Sequence, residues 1–134
     1  MRARSGPQAD WIVEGLAEYY SLETLHRSGT VSTARFEQAH RTLADWAARE
    51  AGPLDAPRSA GATTARAVGV LRTLDAEIRA ASGGRKSLDD VVADLAAQPE
   101  AVTLEMFRAG AERHAGRTLS SLQPAVLKEP PVER

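Results

Sequence analysis

Apolar and polar positions along the chain repeat with a helical period, and Gly or Pro interrupts them at intervals. Ile12, Leu16 and Tyr19 fall on one face of a segment running from about Ala9 to Arg27, entered after Pro7 and stopped by Ser28-Gly29. A glycine just past the last periodic residue can adopt the left-handed conformation that ends helices. Phe36, Ala39, Leu43, Trp46 and Ala47 recur at i, i+3, i+4 spacing and predict a second helix, ended by Gly52-Pro53. Pro53 to Gly61 is rich in Pro, Gly, Ser and Asp and reads as a loop. A third helix is expected from about Thr64 to Ala81, with Ala67, Leu71, Leu74, Ile78 and Ala81 on one stripe, closed by Gly83-Gly84.

Two shorter helices follow. Ser87, with an acid three residues on at Asp90, has the form of a capping box and opens a helix carrying Leu88, Val91, Val92 and Leu95. Thr103 caps a fifth, with Leu104, Phe107 and Ala111 facing inward and Gly116 at its end; Thr118 to Leu122 adds one more turn. The reading is all-α: an irregular array of about five helices forming one domain over residues 9–122. Residues 1–8 form a lead-in. Residues 123–134 are expected to be a disordered tail, since they hold too little apolar material to order themselves.

Composition narrows the function classes. The 134 residues carry 17 Lys+Arg against 18 Asp+Glu, a formal charge of −1. That balance argues against a protein built to coat nucleic acid or an anionic membrane. Alanine accounts for 25 residues and arginine for 15, both strong helix formers. The longest apolar runs are three residues, far short of the roughly 20 a membrane span needs. The N-terminus is basic but leads into Gln8-Ala9-Asp10, so no secretory signal is read there. With no cysteine, disulfides, thiolate metal sites and cysteine nucleophiles are all excluded.

Candidate chemistry is sparse. Glu37 and His40 form one Glu-x-x-His pair, an arrangement that di-iron bundles need twice; His114 has Ala111 at i−3. The expectation for Glu37 and His40 is a pair of solvated side chains on a polar face. The first helix is more unusual. Trp11-Ile-Val-Glu14-Gly15-Leu16-Ala17-Glu18-Tyr19-Tyr20 places a glycine mid-helix, at a cost of about 1 kcal/mol relative to Ala, which implies a packing or access reason. Glu14 and Glu18 lie i, i+4 and repel unless something positive joins them, so a solvated acidic face and a cation site both remain open.

That string resembles the Trp-x-x-Glu-Gly-x-Ala-x-Tyr segment of gluzincin metallopeptidases, with the closest likeness to the glycyl aminopeptidase family, relatives of aminopeptidase N that often carry a PDZ domain. Leu74-Asp75-Ala76-Glu77-Ile78-Arg79, then Ser82-Gly83-Gly84 and Ser87-Leu88-Asp89-Asp90-Val91, is similar to a further stretch of that family. Val102 to Phe107 and Ala115 to Leu119 fit the helices after it, so the likeness covers about residues 9 to 122. In the family, a His-Glu-x-x-His helix supplies two zinc ligands and the general base, and the glutamate of the later helix is the third ligand. The resemblance implies that Glu14 is that third zinc ligand, with zinc as the parent enzyme's cofactor and a peptide as its substrate.

Three departures qualify this. The His-Glu-x-x-His helix is absent, so Met1 is expected to fall just after it, through a misplaced start codon, a split gene or excision from a longer protein. The family's Tyr-x-Lys-Gly is matched by Thr64, Arg66 and Ala67, which loses the tyrosine. The residues after Leu122 are too few to hold a PDZ domain. Catalytic zinc takes three protein ligands plus water, so this chain alone is expected to hold no zinc tightly and to catalyse nothing. The alternative is a non-catalytic α-helical interaction module. If the zinc-binding helix once covered the first helix, then Trp11, Tyr19, Tyr20 and Leu22 are left bare and a homo-oligomer through that helix is expected.

Overall fold

The computed structural model describes residues 9–54 and 61–128. They form α1 (Asp10–Arg27), α2 (Thr33–Glu50), α3 (Ala62–Ala81), α4 (Leu88–Ala96), α5 (Leu104–Ala115), a single 3₁₀ turn (Ser120–Leu122) and α6 (Pro124–Lys128). The all-α expectation holds, and the five main helices lie where the periodicity puts them. Their ends follow from local chemistry. The Ser32 side chain accepts from Arg35 N and starts α2, and the Thr103 side chain accepts from Met106 N and starts α5. At Ser87 the capping box is complete, with Asp90 reaching back to the Ser87 N–H at 2.9 Å. Gly116 closes α5 in the left-handed conformation at φ 75°.

α3 is the central element, packing against α1, α2, α4, α5 and the 3₁₀ turn. Its stripe Ala67, Val68, Leu71, Leu74 and Ile78 is completely buried. α1 lies along it through Trp11, Ile12, Gly15, Leu16 and Tyr19. Gly15 supplies the packing reason its position demanded. A Cβ there would sit 2.8 Å from Ala67 Cβ and 3.1 Å from Leu71 Cδ1, so glycine is what lets α1 approach α3 this closely. On the far side Trp11 meets Phe107 of α5 edge-on, at 6.0 Å between centroids. Leu88, Val91 and Leu95 of α4 complete this core.

Three expectations need correction. The segment from Gln123 is not a bare tail as far as it is described. Residues 124–128 form α6, and Leu127 is 1% exposed within the main core. Its carbonyl accepts from Leu54 N at 2.8 Å, while Arg66 donates to the carbonyls of Val126 at 2.7 Å and Gly52 at 3.0 Å. One leucine in the core and a guanidinium for the loose carbonyls suffice to order it. Residues 129–134, 1–8 and most of the expected 53–61 loop lie outside the described residues.

Second, Trp46 lies on the apolar stripe of α2 by spacing, yet it is 36% exposed. α2 meets α3 through Ala47, Ala51, Ala62 and Ala65, a seam of methyl groups too shallow to admit an indole. The ring instead lies beside Gly61, where an added Cβ would be 3.2 Å from Trp46 Cζ2. Third, Trp11 and Tyr19 are not left bare; both are buried, Trp11 against Phe107 of α5 and Tyr19 beside His40 of α2. Tyr20 and Leu22 are half-buried, and Leu25 is the exposed large apolar side chain of α1.

Candidate functional site

α1 turns its apolar stripe to α3 and leaves Glu14, Ala17 and Glu18 on its exposed side. There Glu14 and Glu18 line a cleft of about 290 Å³ with Leu43 and Trp46 of α2, and Gly61, Thr64 and Ala65 at the start of α3. Thr64 stands where the resembling family has its tyrosine, fifty positions along the chain from Glu14, and the fold places both on one cleft. Arg66, at the family's lysine position, points instead to the backbone of Gly52 and Val126. Ala67, at the family's glycine position, faces Gly15.

Among the described residues no three His, Cys, Asp or Glu side chains are grouped so as to hold a metal ion. A three-ligand zinc site therefore does not fit the described residues by themselves; Glu14 and Glu18 offer carboxylates without an imidazole beside them. The histidines are committed elsewhere. His114 Nε2 is 2.7 Å from Asp94 Oδ2, which also takes Arg113 at 2.7 Å. His26 stacks on Phe36 at 4.2 Å between centroids. Glu37 pairs with Arg72 at 2.6 Å rather than with His40.

His40 overturns the expectation of a solvated side chain. It is 6% exposed, packed between Phe36 at 4.7 Å and Tyr19 at 6.5 Å between centroids, and its Nε2 finds no hydrogen-bond partner among the described residues. Burial lowers its pKa below the usual imidazole value, helped by Arg72 and opposed by Glu37 and Glu23. Its spacing from Phe36 at i+4 was the available signal, since it puts the imidazole on the same helical stripe as an aromatic ring.

The second resembling stretch is structural. Asp75 accepts from Leu88 N at 2.9 Å and from Arg79 at 2.8 Å, tying the end of α3 to the start of α4. Asp89 accepts from the Tyr20 hydroxyl at 2.6 Å and from Arg27 at 3.0 Å, which ties α1 to α4. Burial raises the Tyr20 pKa first, and the bond to Asp89 adds to it. Asp89 itself is pushed up by burial but held below the carboxylate range by Arg27 and Tyr20. Glu77 performs a similar duty, accepting from the backbone N–H and hydroxyl of both Ser120 and Ser121 and so fixing the 3₁₀ turn. The partners of Asp89 and Glu77 lie 43 to 69 positions along the chain from them and carry no local signature.

No helix among the described residues is long and apolar enough to cross a membrane. No family model matches the chain, and neither a curated protein nor a solved structure matches it.

Proposed function

We propose that this chain is the C-terminal helical part of a gluzincin-type zinc aminopeptidase, contributing Glu14 as the third ligand of a zinc ion whose two histidines and general base lie outside it. The observation that supports this reading is the shared cleft of Glu14 and Thr64. The resemblance assigns the ligand position to α1 and the tyrosine position to α3, and nothing in helical periodicity demands that the two share a cleft. On this reading zinc, once bound, would polarise a peptide carbonyl and activate water. This chain's part is to hold the Glu14 carboxylate rigidly, through an α1 locked to α3 at Gly15 and to α4 at Asp89. By itself the chain is not a peptidase, because one carboxylate cannot hold Zn²⁺ against water.

One observation favours a second reading, that of a non-catalytic helical module. Asp75, Ser87, Asp89 and Asp90 all serve caps and interhelical bonds, so that part of the likeness describes a scaffold. The sequence preceding Met1 in the natural transcript separates the two. An in-frame His-Glu-x-x-His within a few tens of codons is expected; its absence would overturn the peptidase reading.

A further inference from the structure

α2 is attached differently from the other main helices. The main core draws buried side chains from α1, α3, α4, α5 and the segment up to Leu127, whereas among its apolar side chains α2 rests only the half-buried Leu43 against it. The C-terminal half of α2 joins α3 through the separate alanine seam of Ala47, Ala51, Ala62 and Ala65. Alanine removes less apolar surface from water than any larger aliphatic side chain, so this seam holds weakly. The N-terminal half is held by a short run of rings: His26 on Phe36, Phe36 on His40, His40 on Tyr19.

That run tolerates a neutral imidazole and not a charged one. A protonated His40 would have donors on both ring nitrogens, and Nε2 is buried with nothing among the described residues to accept from it. A buried charge without a partner is costly. The charged groups around it give little relief. Arg72 of α3 lies over the Phe36 ring at 5.5 Å and repels a second cation. Glu37, one turn earlier on α2, is bonded to that Arg72, and Glu23 of α1 is bonded to Arg27 at 2.9 Å, so both acids already serve guanidinium groups. Tyr19 stays neutral far above pH 7 because burial raises it.

We propose that His40 is an acid-sensitive latch, whose protonation releases α2 from α1 and α3 and uncovers the cleft that α2 walls with Leu43 and Trp46. This does not depend on whether Glu14 ever binds zinc. The sign follows from the direction of the shift. Above about pH 6.5, the ordinary imidazole value, docked and released His40 are both neutral and opening gains nothing. As pH falls below that value, the released form takes up the proton first, and the gain levels off below the pKa of the docked form. The opening population grows by about tenfold for each unit by which docking lowers that pKa.

Amide hydrogen exchange on the intact chain at pH 7.5 and pH 5.0, corrected for intrinsic rates, reads this directly. Protection in α2 is expected to drop severalfold or more at pH 5.0, while Val68–Ile78 of α3 and Phe107–Ala111 of α5 keep theirs. In His40→Phe the α2 protection should be equal at the two pH values. Unchanged α2 protection in the wild type, an equal loss across all helices, or an acid-induced loss that persists in His40→Phe would each overturn the proposal. Should His40→Phe not fold, NMR titration of the wild-type imidazole decides. A midpoint below 6.5 with α2 protection falling in step supports the latch, and a midpoint at or above 6.5 refutes it.

Discussion

Replacing Gly15 by alanine sets two known effects against each other. In an exposed helix interior the change gains about 1 kcal/mol of propensity. Here the new methyl carbon would lie 2.8 Å from Ala67 Cβ, whereas carbon atoms in contact prefer about 3.5 to 4.0 Å. Ala67 Cβ is fixed to the α3 backbone and cannot rotate away, so the helices must part by about 1 Å along a buried seam. Overpacking of this kind costs about 1 to 3 kcal/mol. The net expectation is a loss of about 1 kcal/mol, or about 4 °C in Tm for a chain of this size. Urea unfolding of Gly15→Ala, Ala67→Gly and the double variant makes a cycle. Removing the Ala67 methyl should relieve the clash and give a favourable coupling of at least about 0.5 kcal/mol. If Gly15→Ala is instead more stable by about 1 kcal/mol, and the two changes are additive, the close approach of α1 to α3 is wrong.

Three further outcomes are expected. Leu127→Ala should cost about 2 to 5 kcal/mol in denaturant unfolding, since it empties a core position; a loss below about 0.5 kcal/mol, ordinary for surface substitutions, would mean that α6 does not dock. Tyr20→Phe should cost about 1 to 2 kcal/mol by removing a hydrogen bond to the ionised Asp89 while Arg27 still pairs with it. For Glu77, burial pushes the pKa up but the bonds from Ser121 and Ser120 bring it below the usual value of 4.5. Its contribution is therefore present above pH 4.5 and lost as pH falls through the lowered value, so the stability gap between wild type and Glu77→Gln should close in that acid range.

The helices were legible because each carries its own period and its own end signals. Ser87 with Asp90, Thr103 and Gly116 are local devices, and they work in the structure as their spacing implies. Gly15 was legible as an anomaly, although its opposite number, Ala67, was not. What escaped the sequence depends on partners far along the chain. Trp46 reads as core until the alanine seam brings α2 too close to α3 for an indole to enter. Leu127 reads as part of a polar tail until the core and Arg66 take it in. His40 reads as solvated until Tyr19, from another helix, closes over it. At the cleft, Glu14 was found by likeness of its local string. The walls given by Leu43 and Trp46 depend on how α2 crosses the start of α3, which periodicity does not encode.

The proposed function turns on Glu14 serving as a metal ligand supplied by a rigid helical scaffold. Zinc content by metal analysis, with peptidase rate alongside, tests it most directly when wild type and Glu14→Gln are compared in a longer protein that carries an in-frame His-Glu-x-x-His helix ahead of this chain. Loss of a residue that merely supports a ligand typically costs 10–100-fold in affinity or activity, so losing the ligand itself should cost at least about that much, with the helical content and Tm unchanged. Full zinc occupancy and an unaltered rate in Glu14→Gln would contradict the account.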